Sequence, residues 1–504
     1  MTDTFARDHL PPADAWPDLL VLDGPSRVNA AVELLRHEGV AIAGGWSYEE
    51  LGERASAVAA ELRVEPGERV LLHSPNTAEA IAAWLGILLA GGIVVATMPL
   101  LRAGEIAKVI AKARPSVALA PRELAGEVVR AGELVGVAPA GGDVAAPLRV
   151  LALEDLPARG AFEPADTAAD DVAIIAFTSG TTGAPKGCVH FHRDLLASCD
   201  TFAKRVLDPQ PSDIFSGTPP LAFTFGLGGL VLFPLRFGAS TAPVAKPGDM
   251  LHAIGERGIT TLFTAPTAYR SMLAQEVPDC LRTCVSAGEP LPAAVAEAWY
   301  EKTGIRIVDG IGSTEMLHIF IGSPAAESRP GSCGRPVPGY EARIVDEDMR
   351  TLPPGAVGKL AVRGPTGCRY LDDPRQSAYV RDGWNLTGDA FSMDADGYFW
   401  FQARTDDMII SSGYNISGFE VEAALLEHPL VTECAVVATP DSERGHVVKA
   451  YVVVSEAVEA GVLQDHVKAL IAPYKYPRRI EFVDALPRTP TGKVQRNVLR
   501  ERSS

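Results

Sequence analysis

A buried strand that runs straight into a glycine-, serine- and threonine-rich turn constrains this chain more than any other feature. Val172-Ala-Ile-Ile-Ala-Phe177 is a short apolar run, followed at once by Thr178-Ser-Gly-Thr-Thr-Gly183 and then by Ala-Pro-Lys186-Gly187. Glycines let successive backbone N–H groups face one way and surround an anion. The serine and threonines add hydroxyl donors, and Lys186 adds positive charge. The turn therefore reads as a phosphate cradle between two strands. It is not of the Walker type, because Lys186 precedes Gly187 and not Ser or Thr. No G-x-G-x-x-G follows a strand either, which weakens a dinucleotide reading.

The rest of the chain places this turn in an α/β protein. Apolar runs such as RVLLHS, IVVAT, VAIIAF and TTLFTA alternate with amphipathic segments such as TAEAIAAWLGILL and PAAVAEAWYEKTG. Strand–helix alternation over so long a span predicts mostly parallel sheets covered by helices. Between about Gly331 and Trp400, turn residues punctuate short alternating strands, which predicts a β-rich subdomain. From Arg404 onward a segment of about one hundred residues reads as a small α+β domain. The expected division is a large domain over 1–403 and a small one over 404–504. A length of 504 residues suits two to four packed units, and 47% hydrophobic with 22% charged residues is ordinary globular composition.

Charge and cysteine usage narrow the function classes. Lys plus Arg number 46 and Asp plus Glu 63, a net −17. Such a chain repels polyanions at long range, so no nucleic-acid or anionic-membrane partner is expected, and any anionic ligand must be held locally. The seven cysteines are scattered, with no C-x-x-C pair and no nearby histidine cluster, which argues against a disulfide framework or a structural zinc site. That usage suits a reducing cytoplasm, and the acidic N-terminus lacks an apolar signal core. Ala80 to Leu101 is uncharged and long enough to span a bilayer. Gly91 and Gly92 split it, so a buried helix followed by a buried strand is expected instead. Ile214 to Leu235, also uncharged, reads as a strand, a loop and a helix.

TSGTTGAPKG resembles the phosphate-loop signature of the adenylate-forming superfamily, which includes acyl- and aryl-CoA synthetases. Further segments resemble the family's motifs in the family's order: SAGEPLP (286–292), DGIGSTEM (309–316), NLTGDAF (385–391), RTDDMIISSGYNISGFEVE (404–422) and PRTPTGKVQR (487–496). Ile311 is a departure, since an aromatic usually precedes the glycine there; adenine would then stack on an aliphatic face. The resemblance implies ATP, Mg²⁺ and CoA as cofactor and co-substrates, and a carboxylic acid activated as acyl-AMP before thiol transfer.

Residue by residue, the resemblance implies that Thr178, Ser179, Gly180, Thr181, Thr182 and Lys186 hold the ATP phosphates. Ala287, Gly288, Glu289, Asp309 and Gly310 would line the adenine, Thr314 would reach the α-phosphate, and Glu315 would hold the metal. Asp389 would bind the ribose hydroxyls, and Arg404 the phosphates or ribose. Lys493, with Thr182 and Glu315, would form the catalytic set, and Asp406 would be a hinge between half-reactions. Ser412, Gly413, Lys475 and Arg478 would meet CoA.

The acyl pocket is expected from Phe223, Thr224, Phe225, Gly312, His318 and Ile319. Ile214 to Gly248 holds no Asp or Glu, which disfavours an α-amino acid, and PPLAFTFGLGGLVLFPL (219–235) with EMLHIFI (315–321) resembles benzoate- and 2-aminobenzoate-CoA ligases. The sequence stops soon after Lys493, so the thiol is expected from another molecule. The expected activity is an aryl-CoA ligase. The alternatives are a stand-alone adenylation enzyme loading a carrier protein and a non-catalytic nucleotide sensor. A dimer is compatible with all three.

Overall fold

A computed structural model describes residues 2–136, 148–178, 185–404, 409–411, 414–441, 444–488 and 494–502. Four sheets organise them. The first has the order Arg149–Ala152, Val117–Ala120, Arg69–His73, Ile93–Thr97, Val172–Thr178 and Lys186–Phe191, parallel except for its last pair. The second runs Arg335–Pro336, Ile319–Gly322, Ile307–Gly312, Thr283–Ser286, Thr261–Thr264, Ile214–Gly217 and Ser240–Thr241. Its last five strands are parallel.

Period-two alternation explains the layers. In the strand Arg69–His73, Val70 and Leu72 enter the core shared with the second sheet, while Leu71 enters the core on the opposite face. That opposite face is covered by Ile106, Val109 and Ile110 of helix Ala103–Ala113. Helix Ala78–Leu89 lies in the shared core, its first turn capped by the Thr77 hydroxyl, which accepts from the Ala80 N–H at 3.1 Å. On the far side of the second sheet, Leu262, Cys284 and Ile307 pack on Ile254, Tyr269 and Trp299.

The uncharged stretch from Ala80 to Leu101 is thus a buried helix and the buried strand Ile93–Thr97, as expected. Gly91 makes the turn between them at φ +73°, where a Cβ would also lie 2.9 Å from Ala165. Among the described residues no helix is long and apolar enough to cross a membrane.

The third sheet is antiparallel and contains Glu341–Val345, Val357–Arg363, Val380–Arg381, Trp384–Met393 and Phe399–Arg404. The β-rich stretch therefore starts later than read from sequence. Arg335–Pro336 extends the second sheet, and the separate sheet begins at Glu341. The fourth sheet joins Ile409–Ser411, Tyr414–Ile416, Val431–Asp441, Gly445–Val454 and Arg479–Phe482. Helices Gly418–Leu426 and Ala460–Leu470 pack on it through Val421, Leu425, Leu463 and Val467.

One buried ion pair fastens a distant segment to the first sheet. Val189 N–H donates to the Arg369 carbonyl and Leu371 N–H to the Gly187 carbonyl, both at 2.8 Å, so residues 369–371 line the edge strand Lys186–Phe191. The fully buried Arg369 guanidinium donates to Asp194 Oδ2 at 2.8 Å and lies over the Phe191 ring. Burial pushes the Asp194 carboxyl up, but the Arg369 charge, His190 and the Phe191 N–H outweigh it and hold the acid at about 2. Removing one partner strands the other charge in a low dielectric, at a cost of about 3–5 kcal/mol. Arg369→Leu is expected to lower the urea midpoint by that much stability, and an unchanged midpoint would show that the pair contributes nothing.

Candidate active site

The site forms where the first sheet, the second sheet and the 369–371 segment meet. Thr178 and Lys186 are register partners at the mouth of the Val172–Phe191 hairpin. Ser179, Gly180, Thr181 and Thr182 lie outside the described residues. Lys186 Nζ donates to the Tyr370 hydroxyl at 3.1 Å, and that hydroxyl donates to Glu315 Oε1 at 2.6 Å. The Lys186 ammonium and the Glu315 carboxylate stand 3.9 Å apart. Burial, with the Glu315 charge next to it, pushes the Tyr370 phenol far above its ordinary value, so it stays a neutral donor.

Glu315 owes its place to a turn that leaves the strand Ile307–Gly312. Ser313 Oγ accepts from the Met316 N–H at 3.2 Å, and His190 Nε2 donates to the Thr314 carbonyl at 2.7 Å. Leu317 then adopts φ +69°, a left-handed conformation that a branched side chain rarely takes. The reversal carries His318 away from the phosphate side and into an aromatic cage.

That cage gathers residues expected of the acyl pocket, His318 and Phe225 among them. The His318 ring lies 4.5 Å from Phe233, 5.3 Å from Phe202, 5.7 Å from Phe225 and 6.3 Å from Phe263. Gly228 permits the approach, since a Cβ there would sit 2.4 Å from His318 Nε2. Two π-helical stretches, Cys199–Leu207 and Gly228–Leu232, supply Phe202 and Gly228. Such widened turns recur at functional sites because they re-aim side chains. Burial lowers the His318 pKa to about 3, so the imidazole is neutral. Of the residues expected in the pocket, Phe225 and His318 come together, Thr224 is buried next to Phe225, and Ile319 packs over Gly310. Phe223 is half-buried and makes no ring contact with His318 among the described residues.

The residues expected to line the nucleotide gather at adjacent strand ends. Ser286 and Asp309 are register partners on parallel strands, which sets Ala287, Gly288 and Glu289 beside Asp309 and Gly310. Ligands of open parallel sheets bind outside such carboxyl ends. Burial raises the Asp309 carboxyl to about 8, against the opposing effect of Ser286 and the Gly310 N–H. Asp389, buried in the third sheet, is the cross-strand partner of Arg404.

The expected CoA contacts are described in part. Ser412, Gly413, Asp406 and Lys493 lie outside the described residues. Lys475 is engaged, its ammonium donating to both oxygens of Glu420 at 2.6 and 2.7 Å, and Arg478 donates to the Tyr476 hydroxyl at 2.9 Å. Sequence reasoning missed Tyr370, Phe202, Phe233 and Phe263.

Fold and site together define an adenylate-forming enzyme of the acid–thiol ligase class. The AMP-binding enzyme family matches residues 34–369 and its C-terminal domain matches residues 420–493, and the chain belongs to that family. It is 36% identical over 515 residues to a benzoate–CoA ligase of Thauera aromatica, covering 94% of this chain and 96% of that one. Among solved structures it resembles an anthranilate CoA ligase in complex with anthranoyl-AMP, with TM-score 0.88, 32% identity and coverage of 96% and 98%. A benzoate CoA ligase from Burkholderia xenovorans LB400 gives TM-score 0.85 and 33% identity, covering 94% of this chain and all of that one.

Proposed function

We propose that the protein activates a small aromatic carboxylic acid of the benzoate or 2-aminobenzoate type with ATP and transfers the acyl group to CoA. The observation that carries this reading is the aromatic cage around a neutral His318, three residues past Glu315. The apolar, ring-rich wall packed on His318 and the absence of Asp or Glu between Ile214 and Gly248 favour a planar, uncharged ring over a substrate ammonium. Aromatic pairs reward offset or edge-on contact with such a ring.

In this reading the acid's carboxylate attacks the α-phosphorus and pyrophosphate leaves. The thiol of CoA then displaces AMP from the mixed anhydride. Thr178 and Lys186 with the phosphate loop orient the triphosphate, Thr314 steadies the α-phosphate, and Asp389 holds the ribose through its two carboxylate oxygens. The residues suit a nucleotide-borne Mg²⁺. Among the described residues no group of three acidic, histidine or cysteine side chains could hold a metal by itself. The Glu315 carboxylate stands 3.9 Å from the Lys186 ammonium, and Mg²⁺ commonly takes one or two carboxylates with phosphate oxygens and water. When bound there, Mg²⁺ would neutralise charge on the leaving pyrophosphate.

The test is pyrophosphate release with benzoate, 2-aminobenzoate, hydroxybenzoates, cinnamates and short fatty acids. Benzoates are expected to lead; a preference for short aliphatic acids would refute the aryl assignment. His318→Ala should reorder ring-substituted benzoates by about 1–3 kcal/mol per methylene-sized change and leave the KM for ATP nearly unaltered. If only the ATP parameter moves, His318 does not line the acyl pocket.

A further inference from the structure

Opposite charges 3.9 Å apart in a largely buried site would ordinarily close to direct hydrogen-bond contact, at about 2.8 Å. Lys186 and Glu315 do not, because the Tyr370 hydroxyl stands between them, accepting from one and donating to the other. We propose that Tyr370 is a positioning residue, a neutral spacer that keeps the Lys186 ammonium and the Glu315 carboxylate from collapsing into a self-neutralising ion pair. The anion is thereby kept for Mg²⁺ and the cation for the nucleotide phosphates. The inference rests on the reading that Glu315 serves the metal and Lys186 the phosphates.

The hydroxyl is placed by the fold and not by the ligand. Residues 369 and 371 are hydrogen-bonded to the edge strand at Val189 and Gly187. The Tyr370 N–H donates to Gln376 Oε1 at 2.9 Å, and the ring meets Tyr379 edge-on at 5.8 Å. Arg369, the preceding residue, is locked to Asp194. With main chain and ring both fixed, the one phenolic proton can serve Glu315 while a lone pair faces Lys186. A phenylalanine would preserve the ring and its packing and remove only the spacer. Lys186 and Glu315 could then close on each other, and nucleotide binding would first have to open them.

The experiment is calorimetric binding of ATP in the absence of acid, so that no turnover occurs, at limiting and at saturating Mg²⁺. It compares wild type, Tyr370→Phe, Glu315→Gln and the double variant. Tyr370→Phe is expected to weaken binding about tenfold at limiting Mg²⁺, the scale of one hydrogen bond to a charged group. The deficit should shrink at saturating Mg²⁺, where the metal competes for the carboxylate. In the Glu315→Gln background the same change should add nothing, since no anion remains to close on Lys186. Wild-type binding by Tyr370→Phe, or an equal further loss in the double variant, would overturn the spacer and leave the metal reading of Glu315 standing. Glu315→Gln with unaltered Mg²⁺ dependence would overturn both.

Discussion

Lys493→Ala should lose adenylate formation by more than three decades and still transfer the aryl group from supplied aryl-adenylate to CoA. The size of the effect follows from electrostatics. A carboxylate and an α-phosphate brought to about 3.5 Å at an effective dielectric near 20 repel by roughly 5 kcal/mol, and about 1.4 kcal/mol is a decade of rate. A cation that bridges both oxygens removes that barrier term only in the step that joins two anions. The second step brings a thiol to a mixed anhydride, where no such pair forms. Separate assays of pyrophosphate exchange and of acyl transfer read the two steps. Equal loss in both would make Lys493 structural.

The complementary loss is expected from Asp406→Pro. Residue 406 lies just past the strand Phe399–Arg404 of the third sheet and just before the strand Ile409–Ser411 of the fourth. We propose that the chain after this point rotates between half-reactions, so that one face serves adenylation and another lines the path of the thiol. Rotation of that kind concentrates its dihedral change in a few residues at the end of an element. Proline fixes φ near about −65° and should trap one conformer. Pyrophosphate release with acid and ATP should persist, while thioester formation slows by orders of magnitude. Aryl-CoA made at the wild-type rate would rule out rotation about this residue.

These two variants touch residues that short local motifs single out in the sequence, as they do most of the residues expected in the site. A glycine-, serine- and threonine-rich turn after a buried strand reads as a phosphate cradle, and the roles expected of Thr314, Glu315 and Asp389 come from short motifs that resemble the family's. The layered parallel sheets were equally legible, because their strands are continuous apolar runs. Tyr370 was not. It reaches Lys186 across 184 residues of sequence, and only the pairing of 369–371 with the edge strand brings the two together. Arg369 and Asp194 are separated by 175 and carry no periodic signature either. Phe233 and Phe263 lie in apolar stretches, and Phe202 on an amphipathic one with Asp200 and Lys204 close by, where a pocket wall and a core residue look alike. The π-helical turns that aim the cage left no sequence mark at all. Local chemistry shows in a sequence, whereas a contact made by sheet topology shows only in the fold.

Lys475, one of the cations expected to meet CoA, is paired with Glu420, so the thiol acceptor calls for a test of its own. The most direct measurement is therefore product analysis by mass spectrometry of the purified protein with benzoate or 2-aminobenzoate, ATP, Mg²⁺ and CoA, and no other protein present. Aryl-CoA and AMP are expected in equal amounts, with pyrophosphate, and no AMP beyond slow adenylate hydrolysis when CoA is left out. Aryl-adenylate that accumulates without thioester in the presence of CoA, and is discharged only when a carrier protein is added, would contradict CoA as the acceptor.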